Sequence, residues 1–322
     1  MFDWASQKVL VTGAAGFCGA HLCEVLLAKG ASVVGFDMRA NASESSAYQV
    51  ETGDLLDLPA LCVTIERGGF DVVFHLAAQP IVSLSIEQPI ETMQANIVGT
   101  YNVCEAIRLS SNPPKLVFAS SGAYYGATNA SHPISEDEPA LSASNIYAPT
   151  KAAADLAVRC YARVYGLRAA SCRWMNTYGP GDLNWSRVVP ATFARAHDGK
   201  PGLIAQTDGT NVLEMLHVRD MIEAYLRVAE HLDRPEVRGE AFNFGGGRPL
   251  VLRELVARVT RAWNDATGAD VPTEPEVRGP KVDSVKYLDI SEAKRVLGWE
   301  PQIDLDEGLR EAARWYAGFW SQ

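Results

Sequence analysis

Short apolar runs alternate with amphipathic stretches through the N-terminal half of the chain. The apolar runs have the composition of buried strands and cover residues 8–12, 32–36, 71–78 and 116–121. Patterns of helical spacing lie between or after them, at roughly 20–29, 89–109 and 151–165. This alternation of strand and helix predicts an α/β fold built on a doubly wound parallel sheet.

A glycine-rich turn joins the first predicted strand to the first predicted helix. Its sequence is Gly13-Ala14-Ala15-Gly16-Phe17-Cys18-Gly19. Glycines in this pattern permit a tight turn, close approach of the backbone to a pyrophosphate, and close packing of helix on strand. The N–H groups and dipole of the helix N-terminus add positive potential. We therefore predict a Rossmann-type dinucleotide site, with Gly13, Gly16 and Gly19 at the phosphates.

Acidic side chains at the next two strand ends indicate which dinucleotide binds. Asp37 ends the second strand, where its carboxylate would accept hydrogen bonds from the adenosine ribose hydroxyls. An acid there repels the additional phosphate of NADP, so the sequence predicts NAD, although Arg39 close by weakens this preference. Asp54 follows the next strand and is predicted to meet the adenine amino group.

The later strand ends carry small and hydroxyl side chains at the edge where ligands gather in such sheets. The strand at 71–78 ends in small residues, which leave room for the cofactor. Ser120 and Ser121 end the following strand and are predicted to face the nicotinamide region. His75 has no partner ligand at a suitable spacing, so we interpret it as a strand-end histidine and predict no metal.

Tyr147 and Lys151 have the spacing that places two side chains on the same face of one helical turn. A phenol is a poor base at neutral pH because its unperturbed pKa is about 10. An ammonium beside it stabilises the phenolate and makes proton abstraction from an alcohol feasible. Pro149 must lie in the first turn of the helix, where no N–H is needed. Tyr147 is thereby predicted at the helix mouth, near the strand ends.

Composition and charge narrow the class of protein. The chain has 322 residues, of which 47% are hydrophobic and 21% charged, as in soluble globular proteins. A net charge of −10 disfavours general affinity for nucleic acid or anionic membranes, so local donors must hold any anionic ligand. The six cysteines form no CxxC pair, and we see neither a signal sequence nor a membrane-length apolar run. These features predict a cytoplasmic protein with reduced thiols.

Taken in order, the motifs resemble those of the extended short-chain dehydrogenase/reductase family that acts on nucleotide sugars. The matches extend over essentially the whole chain and are Gly13-xx-Gly16-Phe17-x-Gly19, Asp54-Leu55, His75-Leu76-Ala77-Ala78, Ser120-Ser121, Tyr125-Gly126, Tyr147-xxx-Lys151, Arg173-xx-Asn176-x-Tyr178-Gly179-Pro180-Gly181, Asn243-Phe244-Gly245, Arg278-Gly279 and Leu297-Gly298-Trp299-x-Pro301.

The resemblance implies a role for each central residue. Tyr147 would take a proton from a sugar hydroxyl, Lys151 would lower the pKa of Tyr147 and bind the nicotinamide ribose, and Ser121 would hydrogen-bond the same hydroxyl. Further implied cofactor contacts are Phe17, Cys18, Leu55, Leu76, Ala77, Ala78, Gln79, Asn96, Ala119 and Trp174. Implied substrate contacts are Ser83, Gly122, Ala123, Asn176, Arg187, Val189 and Arg278.

The resemblance also implies a division of the chain. Residues 1–172 would form the NAD-binding domain, and residues 173–322 mainly a substrate lobe with segments that return to that domain. The strand–helix rhythm does loosen after Arg173. The apolar positions between Leu305 and Phe319 predict an amphipathic helix packed on the lobe. Relatives dimerise through two helices, here roughly 90–109 and 150–165, so a homodimer is implied.

The reaction depends on which proton-moving groups accompany Ser121. Dehydratases of the family place an acid or base pair just after the serine or threonine, whereas this chain has Gly122 and Ala123. Tyr124 is a possible substitute acid, although packing is its more usual role. The segment 181–187 and Gln79 are similar to CDP-sugar and GDP-sugar dehydratases, so ancestry and site chemistry point in different directions.

We favour a 4-epimerase that passes through a transient 4-keto sugar. This reaction regenerates its NAD, so the tight NAD binding predicted from Asp37 is sufficient. A 4-keto-sugar reductase, a dehydratase with atypical residues and a non-catalytic NAD-binding protein remain alternatives. The nucleotide (UDP, GDP or CDP) and the sugar stay open. Leu213 occupies a position where relatives carry an arginine that often meets the diphosphate. Arg187, Arg278 or Lys281 would then compensate, or the substrate differs in class.

Overall fold

The fold is described from a computed structural model covering residues 2–39, 48–126, 132–140, 143, 145–282 and 284–321. Its strands, in chain order, are β1 Lys8–Thr12, β2 Ser32–Asp37, β3 Gln49–Thr52, β4 Val72–His75, β5 Lys115–Ala119, β6 Ala169–Trp174, β7 Asn176–Tyr178, β8 Leu203–Ile204, β9 Val212–Leu213, β10 Met215–His217, β11 Ala241–Phe244, β12 Leu250–Val251 and β13 Glu276–Val277. Its α-helices are α1 Phe17–Ala28, α2 Leu58–Gly68, α3 Val82–Glu87, α4 Pro89–Met93, α5 Gly99–Leu109, α6 Tyr147–Tyr165, α7 Val188–His197, α8 Val218–His231, α9 Leu252–Thr267, α10 Ser291–Leu297 and α11 Leu305–Phe319.

Seven parallel strands form the central sheet in the order β11-β6-β5-β4-β1-β2-β3. Strand order reverses between β1 and β4, which places their carboxyl ends on either side of a crevice. One apolar core packs α1, α8 and α10 on one face of the sheet, and a second packs α2, α5 and α6 on the other. The prediction of a Rossmann-type doubly wound sheet is confirmed.

Most of the chain beyond β6 forms a smaller lobe. Its apolar core combines α7, α9 and α11, with Phe193, Trp263 and Tyr316 among the buried rings. The predicted C-terminal amphipathic helix is α11, and it packs in this core as expected. Three later elements, α8, β11 and α10, belong instead to the sheet layer.

The helix predicted at 89–109 is interrupted. It consists of α4, a π-helical turn at Gln94–Val98, and α5. Asn96 lies in the π turn and is buried. An inserted residue of this kind re-aims a side chain, and such turns occur frequently at functional sites.

Candidate active site

The glycine turn after β1 has no space for larger residues. Gly13 has φ +72°, and a Cβ there would lie 2.7 Å from the Ala77 nitrogen. A Cβ on Gly19 would lie 2.1 Å from the Gly13 carbonyl oxygen, so α1 packs directly on the turn. Gly16 precedes α1 without a side-chain cap, so first-turn N–H groups remain available to a phosphate. This cradle fits a dinucleotide pyrophosphate.

Asp37 ends β2 beside the glycine turn. Its Oδ2 accepts a hydrogen bond from the Ala15 nitrogen at 3.1 Å, and its Oδ1 lies 3.5 Å from Arg39 Nε. The Arg39 side chain is 69% exposed, whereas that of Asp37 is 10% exposed. The acid is therefore held by the glycine turn, whereas the arginine side chain extends into solvent.

His75 and two threonine hydroxyl groups form a hydrogen-bonded group at the end of β4. The buried His75 ring lies 2.8 Å from Thr12 Oγ1 through Nδ1 and 3.0 Å from Thr100 Oγ1 through Nε2. Burial, with a smaller effect from Lys151, lowers the pKa of His75 to about 3, so the ring is neutral. Thr12 Oγ1 also accepts from the Ala77 nitrogen at 3.2 Å. His75 thus supports the strand end, as its position predicted.

Ser121 and Tyr147 face one another where β5 ends and α6 begins. Ser121 precedes a short 3-10 turn at Gly122–Tyr125 and accepts from the Ala123 nitrogen at 3.0 Å. Burial raises the pKa of Tyr147, whereas a hydrogen bond with the Ser121 side chain and the charge of Arg187 act to lower it. Pro149 lies in the first turn of α6, as predicted.

Lys151 is almost fully buried one helical turn after Tyr147. Its Nζ donates to the Ala119 carbonyl at 2.8 Å and lies 5.0 Å from the centre of the Phe118 ring. Burial lowers the pKa of Lys151 to about 8, against an opposing effect of Asp155. The sequence predicted that this ammonium would lower the pKa of Tyr147. In the structure the pKa of Tyr147 is raised, and the lysine is bonded to the end of β5.

Arg187 is a cation of the lobe whose charge acts on Tyr147. It precedes α7, and its guanidinium lies 3.2 Å from Asp182 Oδ2. Its charge acts to lower the pKa of both Tyr147 and Cys18. Cys18 lies in the first turn of α1, so the charge of Arg187 acts both at the glycine turn and at Tyr147.

Comparison with known proteins shows the family of the chain. The family model described as the NAD dependent epimerase/dehydratase family matches residues 9–245. The chain belongs to the NAD-dependent epimerase/dehydratase family. UDP-glucose 4-epimerase of Mycolicibacterium smegmatis is 33% identical over 320 residues, covering 96% of this chain and 98% of that relative. UDP-glucuronate 4-epimerase 3 of Arabidopsis thaliana is 30% identical, covering 98% of this chain and 77% of that relative.

A solved structure gives the same result. UDP-glucose 4-epimerase of Thermotoga maritima, determined with UDP-glucose, aligns with a TM-score of 0.85 at 27% identity, covering 97% of this chain and 99% of that chain. Members of the family are enzymes that use NAD, and the glycine cradle and Asp37 fit that cofactor. No cluster of three or more metal-binding side chains occurs among the residues that the structure describes. Within the same ranges, no helix is long and apolar enough to cross a membrane.

Several side chains that the resemblance assigned to NAD lie behind the site. Trp174 is buried in the core, with ring centres 4.6 Å from Tyr225 and 4.7 Å from Phe244. Leu55 is buried in the core under α2 and α5. Asn96 accepts from the Gln79 nitrogen at 2.8 Å and donates to Thr150 Oγ1 at 3.0 Å. These side chains contact other parts of the protein, and their contacts with NAD stay predictions.

The predicted substrate residues also differ in burial and in bonding partners. Val189 is buried in the lobe core, so only its first-turn N–H can reach a ligand. Arg278 is exposed and bonded to Glu276, its neighbour on β13. Asn176 donates to the Glu214 carbonyl at 3.2 Å, Ser83 is exposed, and Leu213 packs toward the lobe core. The residue at 213, where the resemblance implied an arginine, is thus a packing residue.

Asp155 and the half-buried Lys286 were not identified as site residues from the sequence, and Ser120 is placed otherwise than expected. Ser120, which was expected to face the nicotinamide, instead donates to Asp155 Oδ2 at 2.6 Å. Asp155 pairs with the fully buried Arg173, and Lys286 donates to the Gly126 carbonyl at 2.8 Å. The spacing of Lys151 and Asp155 on one helix face is a sequence signal that could have identified Asp155.

Proposed function

We propose that this enzyme is an NAD-dependent nucleotide-sugar 4-epimerase that works through a transient 4-keto sugar. The observation that carries the proposal is the pairing of Ser121 with Tyr147 at the strand ends, next to Lys151 and with no proton-moving side chain at positions 122 and 123. Such a site serves hydride transfer at one carbon. The whole-length similarity to two kinds of 4-epimerase supports the same reaction.

Gly13, Gly16 and Gly19 would hold the pyrophosphate of NAD, and Asp37 the adenosine ribose. Asp54, exposed after β3, would meet the adenine. Leu76, Ala77, Ala78 and Ala119 line the strand ends beside it. When bound, NAD supplies the oxidant for C4 of the sugar and is regenerated in the same turnover.

Tyr147 would exchange a proton with the 4-hydroxyl. To act as the base, Tyr147 must be the phenolate, which would accept the 4-hydroxyl proton as hydride leaves C4 and return it when hydride comes back. Burial opposes this form by raising the pKa of Tyr147. The phenolate needs positive charge nearby, which Arg187 supplies from the lobe, whereas Lys151 is bonded to the Ala119 carbonyl one turn further along α6. Ser121 would orient the reacting oxygen through its hydroxyl.

The packing of the Gly122–Tyr125 turn argues against a dehydratase. A Cβ on Gly122 would lie 2.7 Å from Met175 Sδ, so a larger acid or base cannot occupy that position without rearrangement. Tyr124 is buried with its ring 3.6 Å from the Arg173 guanidinium carbon, which gives it a packing role. Loss of water from the sugar requires proton transfers at two further atoms, for which the turn offers no group.

A keto-sugar reductase is the remaining competitor, and the two reactions differ in net redox change. Purified enzyme with its bound cofactor would be incubated with UDP-glucose, UDP-glucuronate, GDP-mannose and CDP-glucose. We expect interconversion of one C4 epimer pair with no net change in NADH absorbance. Stoichiometric consumption of NADH or NADPH during turnover of a 4-keto sugar would contradict the epimerase.

Tyr147→Phe tests the proposed base directly. We expect kcat to fall by about 10²-fold or more, with little change in cofactor affinity. Tyr165→Phe is the matched control, because it removes a hydroxyl from a ring on the same helix that is 55% exposed. If Tyr147→Phe retains full activity, Tyr147 is not the base.

We also propose that residues 173–322, apart from α8, α10 and β11, form the part of the chain that binds the nucleotide sugar, and that the enzyme is a homodimer. Large apolar side chains are exposed along the outer surfaces of α5 and α6, including Tyr101 at 44%, Leu156 at 51% and Val164 at 65%. Unpartnered apolar surfaces of this kind mark contact sites. Val164→Glu should convert a dimer into a monomer in sedimentation experiments; an unchanged sedimentation coefficient would contradict this interface.

A further inference from the structure

A buried charge pair lies directly behind the catalytic residues. Asp155, on α6 one turn after Lys151, is completely buried, and so is Arg173 on β6. The Arg173 Nε and NH2 groups donate to the two carboxylate oxygens of Asp155 at 3.1 and 2.9 Å. Two parallel bonds of this type fix the relative orientation of both side chains.

The pair is connected to the strand end that carries Ser121. Ser120 Oγ donates to Asp155 Oδ2 at 2.6 Å, immediately before the catalytic serine. On the other side, Arg173 donates to the Tyr125 hydroxyl at 2.9 Å, and that hydroxyl donates to Asn243 Oδ1 at 2.7 Å. The pair therefore joins α6, the end of β5, the 3-10 turn and β11.

The same carboxylate faces Lys151. The neutral His75 faces Lys151 from β4. The Ala119 carbonyl and the Phe118 ring face it from β5. On α6 itself, Asp155 is the acid whose charge acts on the ammonium, with Arg159 3.9 Å from its outer oxygen. A buried ammonium loses its proton readily unless a negative charge compensates for the lost hydration.

We propose that Asp155 is a positioning residue that holds the Ser121 strand end against α6 and keeps the Lys151 ammonium charged. Its consequence for catalysis rests on the proposed function, whereas its effect on Lys151 does not. Burial has already lowered the pKa of Lys151 to about 8, so loss of the Asp155 charge would bring its deprotonation into the neutral range. Asp155→Asn should therefore reduce kcat about tenfold or more at pH 7 and leave KM nearly unchanged.

The direct experiment follows the titration of Lys151 by NMR. The protein is labelled with lysine carrying ¹³C at Cε, and the Lys151 signal is assigned with Lys151→Met. Asp155→Asn should move the Lys151 midpoint downward by about one pH unit or more. Lys286 is an internal control, since burial alone lowers its pKa to about 8 and its midpoint should stay in place.

Matched variants separate charge from fold. Asp233→Asn removes an acid that pairs with another buried lysine, Lys115, at 2.7 Å, and should not move the Lys151 signal. Asp155→Glu keeps the charge and should restore the midpoint. If Asp155→Asn does not fold, Arg173→Met is added to it, which removes the guanidinium left without its partner. The Lys151 midpoint of this double variant should also move downward.

An unchanged Lys151 midpoint in either folded variant overturns the proposal. A wild-type protein without epimerase activity would instead refute the proposed function, and the titration would still decide the role of Asp155. Equal shifts of Lys151 and Lys286 would also overturn it, because they would indicate general loosening of the fold.

Discussion

Gly19→Ala is the substitution for which the structure gives the sharpest expectation. The added methyl group would lie 2.1 Å from the Gly13 oxygen, 2.8 Å from the Gly13 carbonyl carbon and 2.9 Å from Ala14 Cα. All three atoms are backbone, so no side chain can move aside. A carbon–oxygen contact needs about 3.3 Å, so α1 must shift by roughly 1 Å away from the turn. Overpacking of this kind costs about 1–3 kcal/mol.

The consequence for function follows from what α1 does. Its first-turn N–H groups are predicted to face the pyrophosphate, and a displacement of about 1 Å can reduce function about 10²-fold. We therefore expect NAD affinity, measured by isothermal titration calorimetry, to fall about 10²-fold together with a lower thermal midpoint.

Gly318→Ala on α11 is the matched control. A Cβ there meets nothing within 4 Å, so helix propensity should leave stability unchanged or slightly higher. Wild-type NAD affinity and an unchanged midpoint for Gly19→Ala would refute the reasoning, because they would mean that α1 does not pack on the turn as described.

Three further predictions concern residues outside the cofactor cradle. Glu214 is fully buried, and burial raises its pKa from 4.5 to about 7. Its stabilising contribution is full below pH 4.5 and is lost as pH rises through 7, which amounts to about 3 kcal/mol between pH 4.5 and 8. In urea unfolding, the free energy of unfolding of the wild type should therefore fall by about 3 kcal/mol relative to that of Glu214→Gln over that range. A difference between the two proteins that does not change with pH would contradict this. Lys286→Met removes the 2.8 Å bond to the Gly126 carbonyl and should lower kcat about tenfold while the thermal midpoint changes little; unchanged kcat would show that the turn holds without it. Trp320→Ala removes stacking on His197 and on Trp185, which lies in the loop before Arg187, and should cost about 3 kcal/mol and raise KM; an unchanged KM would mean that the loop is held by other contacts.

The periodic parts of the fold could be predicted from the sequence. Runs such as Val9–Val11 and Val72–Phe74 are apolar on both faces because the sheet is covered on both sides, and this pattern is local. The glycine turn could also be predicted, since glycine is required where a Cβ would clash with the backbone. Pro149 located the start of α6 for the same reason.

Side-chain partners at long sequence separation were harder to predict. Trp174 and Val189 follow motif positions that suggest ligand contacts, yet both side chains turn into cores formed by helices far away in the chain. The π turn at Gln94–Val98 has no signature in apolar spacing, and it is stabilised by the bonds from Asn96 to Gln79 and Thr150.

The sequence by itself determined the sheet and the glycine turn of the NAD-binding fold, because spacing along strand and helix encodes them. It also predicted Ser121, Tyr147 and Lys151 as the site residues. Only the tertiary structure decided the electrostatics around these residues. Whether Lys151 acts on Tyr147 or bonds to Ala119, and whether Ser120 faces the ligand or Asp155, depends on burial and on partners such as Arg173 and Arg187. The burial and the charge at a site depend on segments that are far apart in the chain, so a local sequence pattern cannot predict them.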